Sequence, residues 1–301
     1  MKQKVKNTIP VYDICSLSRG GSAQEDVIAE PFAPYLLKHP NLHFPHRHSF
    51  YHIVLFTEGA GFHTIDFERF AVSPGQIYFM VPGQVHSWSF EGGIDGYVIN
   101  FPESFFQSFL ADKHYLEQFR FFRGIAKDSV IQLPQKAFGE VADTIAKIVA
   151  ETQTHGANGM DMLRARLLEV LITVSRENSM QTPHGAPQQN QLLLYNFRKL
   201  VDEYYAEKRL PKEYAAMLYI TPNHLNALCN DLLGKAAGEV IRDRILLEAK
   251  RLLVNADNGI AEIAYQLNFT DNSHLTRFFK KHTGVSPEEF RRNLAGAVKN
   301  G

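Results

Sequence analysis

Four histidines carry the most specific chemistry in this 301-residue chain. His46, His48 and His52 fall at even spacings in HRHSFYH, and His86 closes the segment GQIYFMVPGQVH. Side chains alternate between the two faces of an extended strand, so the first three share a face. With His86 from a second strand they make an all-nitrogen set suited to zinc, iron, copper or nickel. The same neighbourhood offers a different use. Tyr51, His63, Tyr78, Trp88 and Tyr97 bring rings with hydrogen-bonding tips, which is how small-molecule sites are commonly lined. In one reading His46, His48, Tyr51, His52, Tyr78, His86 and Trp88 hold a small organic effector, with no metal or other cofactor. In the alternative, His46, His48, His52 and His86 hold a metal, in a metal-dependent enzyme or a metal sensor. Arg47 alternates away from its neighbours and points outward. No nucleophile triad, phosphate-cradling glycine loop or zinc-finger cysteine set is present.

A second constellation lies near the C-terminus. PKEYAAMLYITPNHLNALCNDLLG (Pro211 to Gly234) and IAEIAYQLNFTDNSHLTRFFKKHTG (Ile260 to Gly284) share one layout. Each reads as a short apolar-periodic helix, a turn, an N-cap and a second helix with polar side chains outward. That is how a recognition helix is presented to the DNA major groove. The outward positions are Asn223, His224, Asn226 and Asn230 in the first unit, where Asn can pair bidentately with adenine. In the second they are Asn272, Ser273, His274, Thr276 and Arg277, with Lys280 and Lys281 suited to phosphates. Leu225, Leu228, Leu275, Phe278 and Phe279 read as core. Between the units Val240, Ile241, Ile245, Leu246, Ala249, Leu252 and Leu253 recur at helical spacing. A connector of that length runs roughly 25–30 Å, against about 34 Å between successive major-groove faces of one duplex. The two recognition helices can therefore address adjacent turns.

Periodicity also shows what must position the histidines. From about Ala29 to Phe101, HIVLFTEGAG, GFHTIDFERFAVSPG, QIYFMVPGQVHSWSF and GYVINF are β-rich runs between turn residues, the pattern of a small barrel or jelly roll. Helical segments follow at roughly 136–152 and 160–176. The first places Phe138, Val141, Ile145, Ile148 and Val149 on an apolar stripe; the second places Met160, Leu163, Leu167, Val170, Leu171 and Val174. The second stripe fits either antiparallel packing on the first helix or a coiled-coil dimer seam. NSMQTPHGAPQQNQ replaces periodic apolar residues with Pro, Gly, Gln and Asn, and reads as an interdomain linker. The expectation is a two-domain α+β protein. Residues 1–177 form a β-barrel with following helices, 178–191 a linker, and 192–301 an all-α domain with two helix-turn-helix units joined by a long helix.

The length suffices for two domains with separate cores. The formal charge is zero, yet from Asn190 onward Lys and Arg outnumber Asp and Glu by 16 to 13, and upstream the balance is 16 to 19. This weak basic skew predicts modest, salt-sensitive non-specific DNA affinity, with specificity left to base contacts. Cys15 and Cys229 fall in different expected domains, which argues against a disulfide and for a reducing cytoplasm. MKQKVKNTIPVYDICSL lacks the apolar core of a signal peptide and no run is long enough to span a bilayer, so no membrane partner is expected.

These residues also carry resemblances. ITPNHLNALCNDLLG, RILLEAKRLLVNADNGIAEIAYQLNF and FTDNSHLTRFFKKHTGVSPEEFRR, within Pro211 to Arg292, resemble the DNA-binding domain of the AraC/XylS family of bacterial transcription regulators. The resemblance implies seven helices, with recognition helices at about Pro222 to Leu233 and Asn272 to His282. Cys229 stands where the family has Phe, Asn268 where it has Gly, and Ala227 where it often has a basic residue. Asn tolerates the left-handed turn that Gly would supply. HRHSFYHIVLFTEG and GQIYFMVPGQVH resemble the two cupin motifs, with His52 at the place of the glutamate and Gly59, Gly75, Gly83 and His86 at their spacing. Pro40, Val81 and Phe90 depart from the Gly, Pro and Asn of those motifs. Together the resemblances imply a cupin-like effector-binding and dimerisation domain fused to a DNA-binding domain. They imply a homodimeric regulator rather than an enzyme, acting on an operator in double-stranded DNA. An aromatic acid is the implied effector, and activation, with RNA polymerase as partner, the implied outcome.

Overall fold

The computed structural model describes residues 10–17, 27–107, 109–112, 115–154, 156–181, 188–254 and 258–299. The chain divides into two compact units, one spanning Pro10–Pro183 and one containing His184–Gly301.

In the first unit the runs rich in β-branched and aromatic residues become strands. In order come β1 (Val11–Tyr12), the short α1 (Ile14–Leu17), β2 (Ile28–Pro31), α2 (Phe32–Lys38), β3 (His46–His48), β4 (Tyr51–Ile65), β5 (Glu68–Val72), β6 (Gln76–Met80), β7 (Val85–Phe101) and β8 (Val130–Gln132). They form one mixed sheet in the order β1-β3-β7-β4-β6-β8, with β2 also on β7 and β5 also on β4. β4 and β7 are the long members, 15 and 17 residues. They pair from Tyr51 opposite Phe101 to Ile65 opposite His86, with register shifts between Phe56 and Ala60.

Alternation along β4 sends neighbours to opposite cores. Val54 and Phe56 join Tyr78, Met80, Trp88 and Val98 in the barrel interior. Ile53 and Leu55 join Phe79, Ile99 and Phe101 on the outer face, which is covered by α3 (Gln135–Thr154) and α4 (Gly159–Gln181). Leu163, Leu167, Val170, Leu171 and Val174 of α4 bury in this same core with Val141, Ile145 and Ile148 of α3. These five α4 residues are at most 5% exposed and Met160 is partly buried against the same core, so the stripe is taken up within the subunit and not by a dimer seam. Of the two uses open to it, packing within the subunit is the one realised. α4 continues to Gln181, past the expected end at Arg176, because no proline interrupts the chain before Pro183. α5 (Gln188–Tyr204) begins just after Pro187, so both ends of the expected linker are helical, and its centre, 182–187, lies outside the described residues.

The second unit continues with α6 (Pro211–Met217), α7 (Pro222–Leu233), α8 (Ala237–Val254), α9 (Ile260–Gln266), α10 (Asn272–Thr283) and α11 (Pro287–Lys299). With α5 these are seven helices among the described residues. Thr221 Oγ1 and Asp271 Oδ1 accept the backbone N–H groups of His224 and His274 at 3.2 and 2.8 Å and so cap α7 and α10. Gly234 and Gly284 end these helices in the left-handed region, at φ 66° and 82°. The turn before each capping residue is also left-handed: Asn268 takes φ 53°, and Tyr219 takes φ 56° in the first helix-turn-helix.

α8 belongs to both helix-turn-helix units. Ile241 and Ile245 bury with Leu225, Leu228 and Cys229, whereas Ala249 and Leu253 bury with Ile263, Leu275 and Phe279. Its 18 residues span about 27 Å. The segment SPEEFRR has a physical reading here. Ser286 N donates to Glu289 Oε2 at 2.7 Å and Glu289 N donates to Ser286 Oγ at 3.2 Å, a reciprocal capping box for α11. Phe290 packs on Phe279, and Arg291 donates to the carbonyls of Leu253 and Asn258 at 3.0 and 2.7 Å. The motif thus ties α11 to the end of α8.

Candidate functional site

The barrel interior gathers five histidines. His46, His48, His52, His63 and His86 are each at most 2% exposed. His46 faces His86 across the β3–β7 pair. His46 Nε2 lies 3.1 Å from His48 Nε2, which lies 2.8 Å from His86 Nε2. His86 Nδ1 in turn lies 3.1 Å from His63 Nε2. His52 stacks on His48 with ring centroids 4.9 Å apart. Its Nδ1 is committed to Asn100 Oδ1 at 2.7 Å, and Asn100 Nδ2 donates to Tyr35 OH at 3.1 Å. Trp88 borders His46, His52, His63 and His86. The Tyr78 ring lies 4.7 Å from that of His63, and its hydroxyl donates to Gln76 Oε1 at 2.8 Å.

Two residues expected in the pocket are elsewhere. Tyr51 packs on Phe101 and Phe122, and Tyr97 joins the same outer core. Each adjoins an inward residue, His52 or Val98, and alternation sends it to the other face. His63 shows the opposite effect. It stands at an odd offset from His52, which strict alternation would place outside, but the register shifts of β4 return it to the interior. No sequence pattern marks Asn100 or Tyr35, because nothing local links them to His52.

Burial keeps these rings neutral. It pushes His46 down to about 3 and His52 down to about 4, and holds His48, His63 and His86 well below the ordinary imidazole value. In the unfolded chain the same rings titrate near 6.5. As pH falls below that value the unfolded state takes up protons that the folded state refuses, so stability is lost from about pH 6.5 downward. His46 and His52 alone are each expected to cost about 2 kcal/mol by pH 5. Urea unfolding in chelator at pH 7.5 and pH 5 should show a markedly lower midpoint in acid. Equal midpoints would mean that the rings are solvated or charged in the fold.

On the second unit, Asn223, His224 and Asn230 of α7 and Asn272, Ser273, His274, Arg277, Lys280 and Lys281 of α10 are exposed. Thr276 is half-buried, and Leu225, Leu228, Leu275 and Phe279 are core. Phe278, expected in the core, is only partly buried against Phe269 and His282. Asn226 is engaged within the fold, where its Oδ1 accepts the backbone N–H of Ala237 at 3.1 Å and pins α7 to the start of α8. It is therefore withdrawn from the base-reading set. Aligned on their capping residues, Ala227 corresponds to Arg277 and Asn230 to Lys280. The cationic side chains are concentrated on α10 and the amides on α7.

Arg277 and His274 line an open cleft with Arg209, Asn268, Phe269 and Thr270. Arg209, which no sequence motif marks, stands before α6 yet serves the second unit. Its guanidinium donates to the carbonyls of Leu267 and Asn268 and lies over the Phe269 ring, 4.1 Å from the centroid. The left-handed turn ahead of α10 is thus held from the first helix-turn-helix. Arg209→Ala is expected to destabilise the chain by about 1–2 kcal/mol in urea unfolding. An unchanged midpoint would show that the turn stands without it.

Comparison with known proteins gives a consistent assignment. A model of the AraC-like ligand binding domain matches residues 32–167, and a helix-turn-helix domain model matches residues 214–293. The chain is 25% identical over 264 residues to the HTH-type transcriptional activator RhaS of Yersinia pestis, across 85% of this chain and 92% of the relative. It is 21% identical over 271 residues to RhaS of Klebsiella pneumoniae, across 84% and 89%. The solved structure of ToxT from Vibrio cholerae overlaps 91% of this chain and 100% of its own at 13% identity and a TM-score of 0.42, a likeness too loose to carry an argument. With an AraC-like ligand-binding domain followed by a helix-turn-helix domain, this chain is a member of the AraC family of transcription regulators.

Proposed function

We propose that the chain is a sequence-specific activator whose barrel binds a small-molecule effector and whose paired recognition helices bind an operator in double-stranded DNA. The observation that carries the effector is a set of buried nitrogens around the histidines that lack partners: His48 Nδ1, His52 Nε2, His63 Nδ1 and Trp88 Nε1. Leaving buried polar atoms unpaired is costly, and a bound ligand offering both donors and acceptors would satisfy them. A ring-bearing acid, as the family resemblance implies, suits walls made of imidazole and indole. In the alternative, metal-dependent enzyme reading a carboxylate would stand at the place of the cupin glutamate, which His52 fills here. Asp66 is the one buried acid among the described residues, and it accepts from Gln84 Nε2 at 2.8 Å and Val85 N at 3.2 Å. Regulation therefore accounts for the site better than catalysis.

Activation is supported by the names of the matched relatives, both transcriptional activators, and RNA polymerase is then the partner. No helix among the described residues is long and apolar enough to cross a membrane, and the chain is assigned to the cytoplasm with DNA. Residues 1–177 form the effector-binding and dimerising domain, 178–191 the linker and 192–301 the DNA-binding domain. Because the α4 stripe is buried within the subunit, the homodimer must use a different surface. Effector binding acts by favouring one arrangement of the two domains; a ligand with equal affinity for both would shift nothing.

Selection of genomic fragments by the full-length protein, followed by footprinting at physiological salt, tests this. Paired protected sites, each covering two successive major grooves, are expected. No specific footprint from either the whole chain or the domain from residue 192 would sink the reading.

A further inference from the structure

The protons of the histidine group conflict. Phe44 O only accepts, so His46 Nδ1, 2.7 Å away, carries that ring's proton and the neutral ring leaves Nε2 bare. His48 Nε2 is within hydrogen-bond distance of two ring nitrogens at once, and one N–H cannot point along both directions. If His48 Nε2 donates, its Nδ1 becomes a buried acceptor without a partner. His63 Nδ1 is left as an unpaired donor once His86 Nδ1 donates to His63 Nε2. A cation among the three Nε2 atoms removes the conflict at those atoms and leaves the Nδ1–H groups of His48 and His63 as buried donors. All three rings then present bare nitrogens to it, His46 Nδ1–H donates to Phe44 O and His86 Nδ1–H to His63 Nε2. Outer-shell partners of this kind fix metal-ligating imidazoles. Nitrogens 2.0–2.1 Å from a tetrahedral ion stand about 3.3 Å apart; His48 Nε2 lies 3.1 and 2.8 Å from the other two Nε2 atoms, and one ring nitrogen from each of the three residues lies within 4.8 Å of the others.

The geometry points to a site for one divalent transition-metal ion on Nε2 of His46, His48 and His86, with His63 as outer-shell acceptor and a fourth position open to a small ligand. Three neutral imidazoles leave the ion's charge uncompensated, and the buried Asp66 carboxylate is engaged by Gln84 and Val85. The fourth ligand is therefore an anionic oxygen, hydroxide in the ligand-free chain and a carboxylate from the effector. The set differs from the one that spacing suggests, because the ring nitrogens that converge are those of His46, His48 and His86, and His52 is not among them. His52 Nε2 and Trp88 Nε1, both buried without partners beside His86, remain for the bound anion's other atoms. The carboxylate step rests on the effector reading above; the ion site does not.

The test is titration of the chelator-treated full-length chain with Zn²⁺ and with Co²⁺. Expected are one ion bound per chain, the visible ligand-field bands of tetrahedral Co²⁺, and a raised melting temperature. His86→Ala should abolish the bands, His63→Phe should weaken binding by about 10–100-fold, and His52→Gln should keep one ion per chain. A folded wild-type chain that gives no cobalt bands and no thermal shift overturns the site without reference to any variant. Loss of the ion in His52→Gln, with the fold intact by circular dichroism, overturns the three-histidine assignment. DNA selection on the same preparation separates the two readings. Stoichiometric metal with no specific DNA target would keep the site and sink the regulator, and specific DNA binding by a chain that takes up no ion would do the reverse.

Discussion

Gly96→Ala is expected to abolish the folded barrel. Gly96 sits in β7 opposite Phe56, where the β4–β7 pairing shifts register. Its φ is 154°, and an added Cβ would stand 1.9 Å from Leu55 O and 3.0 Å from Phe56 Cα. Both obstacles are backbone in the central strand pair, so no side chain can swing aside. The cost is expected to exceed about 4 kcal/mol, the range in which single substitutions become exceptional, against a total stability of roughly 5–15 kcal/mol for a typical domain. Soluble yield and thermal melting measure it. Gly139→Ala is the control: this exposed glycine lies inside α3 with nothing within 4 Å of its added Cβ. It should gain roughly 0.5–1 kcal/mol. If Gly96→Ala melted with the wild type, the close crossing of β4 and β7 would be wrong.

Arg277→Ala is expected to weaken operator binding by about 1–3 kcal/mol and to relax base preference at one position. Arg277 is exposed on α10 at the mouth of the cleft with His274 and Arg209, and its counterpart on α7 is an alanine. The second unit therefore has an Arg able to read guanine where the first has none. Lys280→Ala should behave differently. A phosphate contact carries no sequence information, so affinity should fall alike on operator and random DNA, with the slope of log affinity against log salt reduced by about one. Equilibrium binding of both variants across salt concentrations separates these roles. Unchanged base preference in Arg277→Ala would remove it from the reading set.

Much of this protein follows from local chemistry. The two helix-turn-helix units were legible because a capping Thr or Asp, an apolar stripe and a terminal Gly lie within one short segment, and each acts on neighbours three or four residues away. The tolerance of Asn268 for a left-handed turn could be read in the same way. Tyr219, which takes the same conformation while 95% exposed, could not, because nothing in its residue type requires that turn.

The barrel's strands and the shared face of His46, His48 and His52 needed only the alternation of an extended chain. What depended on distant parts of the chain needed the tertiary structure. The register shifts of β4 brought His63 inside, and Asn100 and Tyr35 claimed His52 from elsewhere in the chain. Ala237 engaged Asn226, and Arg209 was tied to a turn near residue 268. The α4 stripe was equally suited by sequence to a partner helix or to α3, since an apolar face records what it avoids, not what covers it. A periodic pattern specifies the face a side chain occupies. Only packing decides which hydrogen-bond partner or neighbouring surface meets it there, because that choice rests on loop paths and strand register that no local residue encodes.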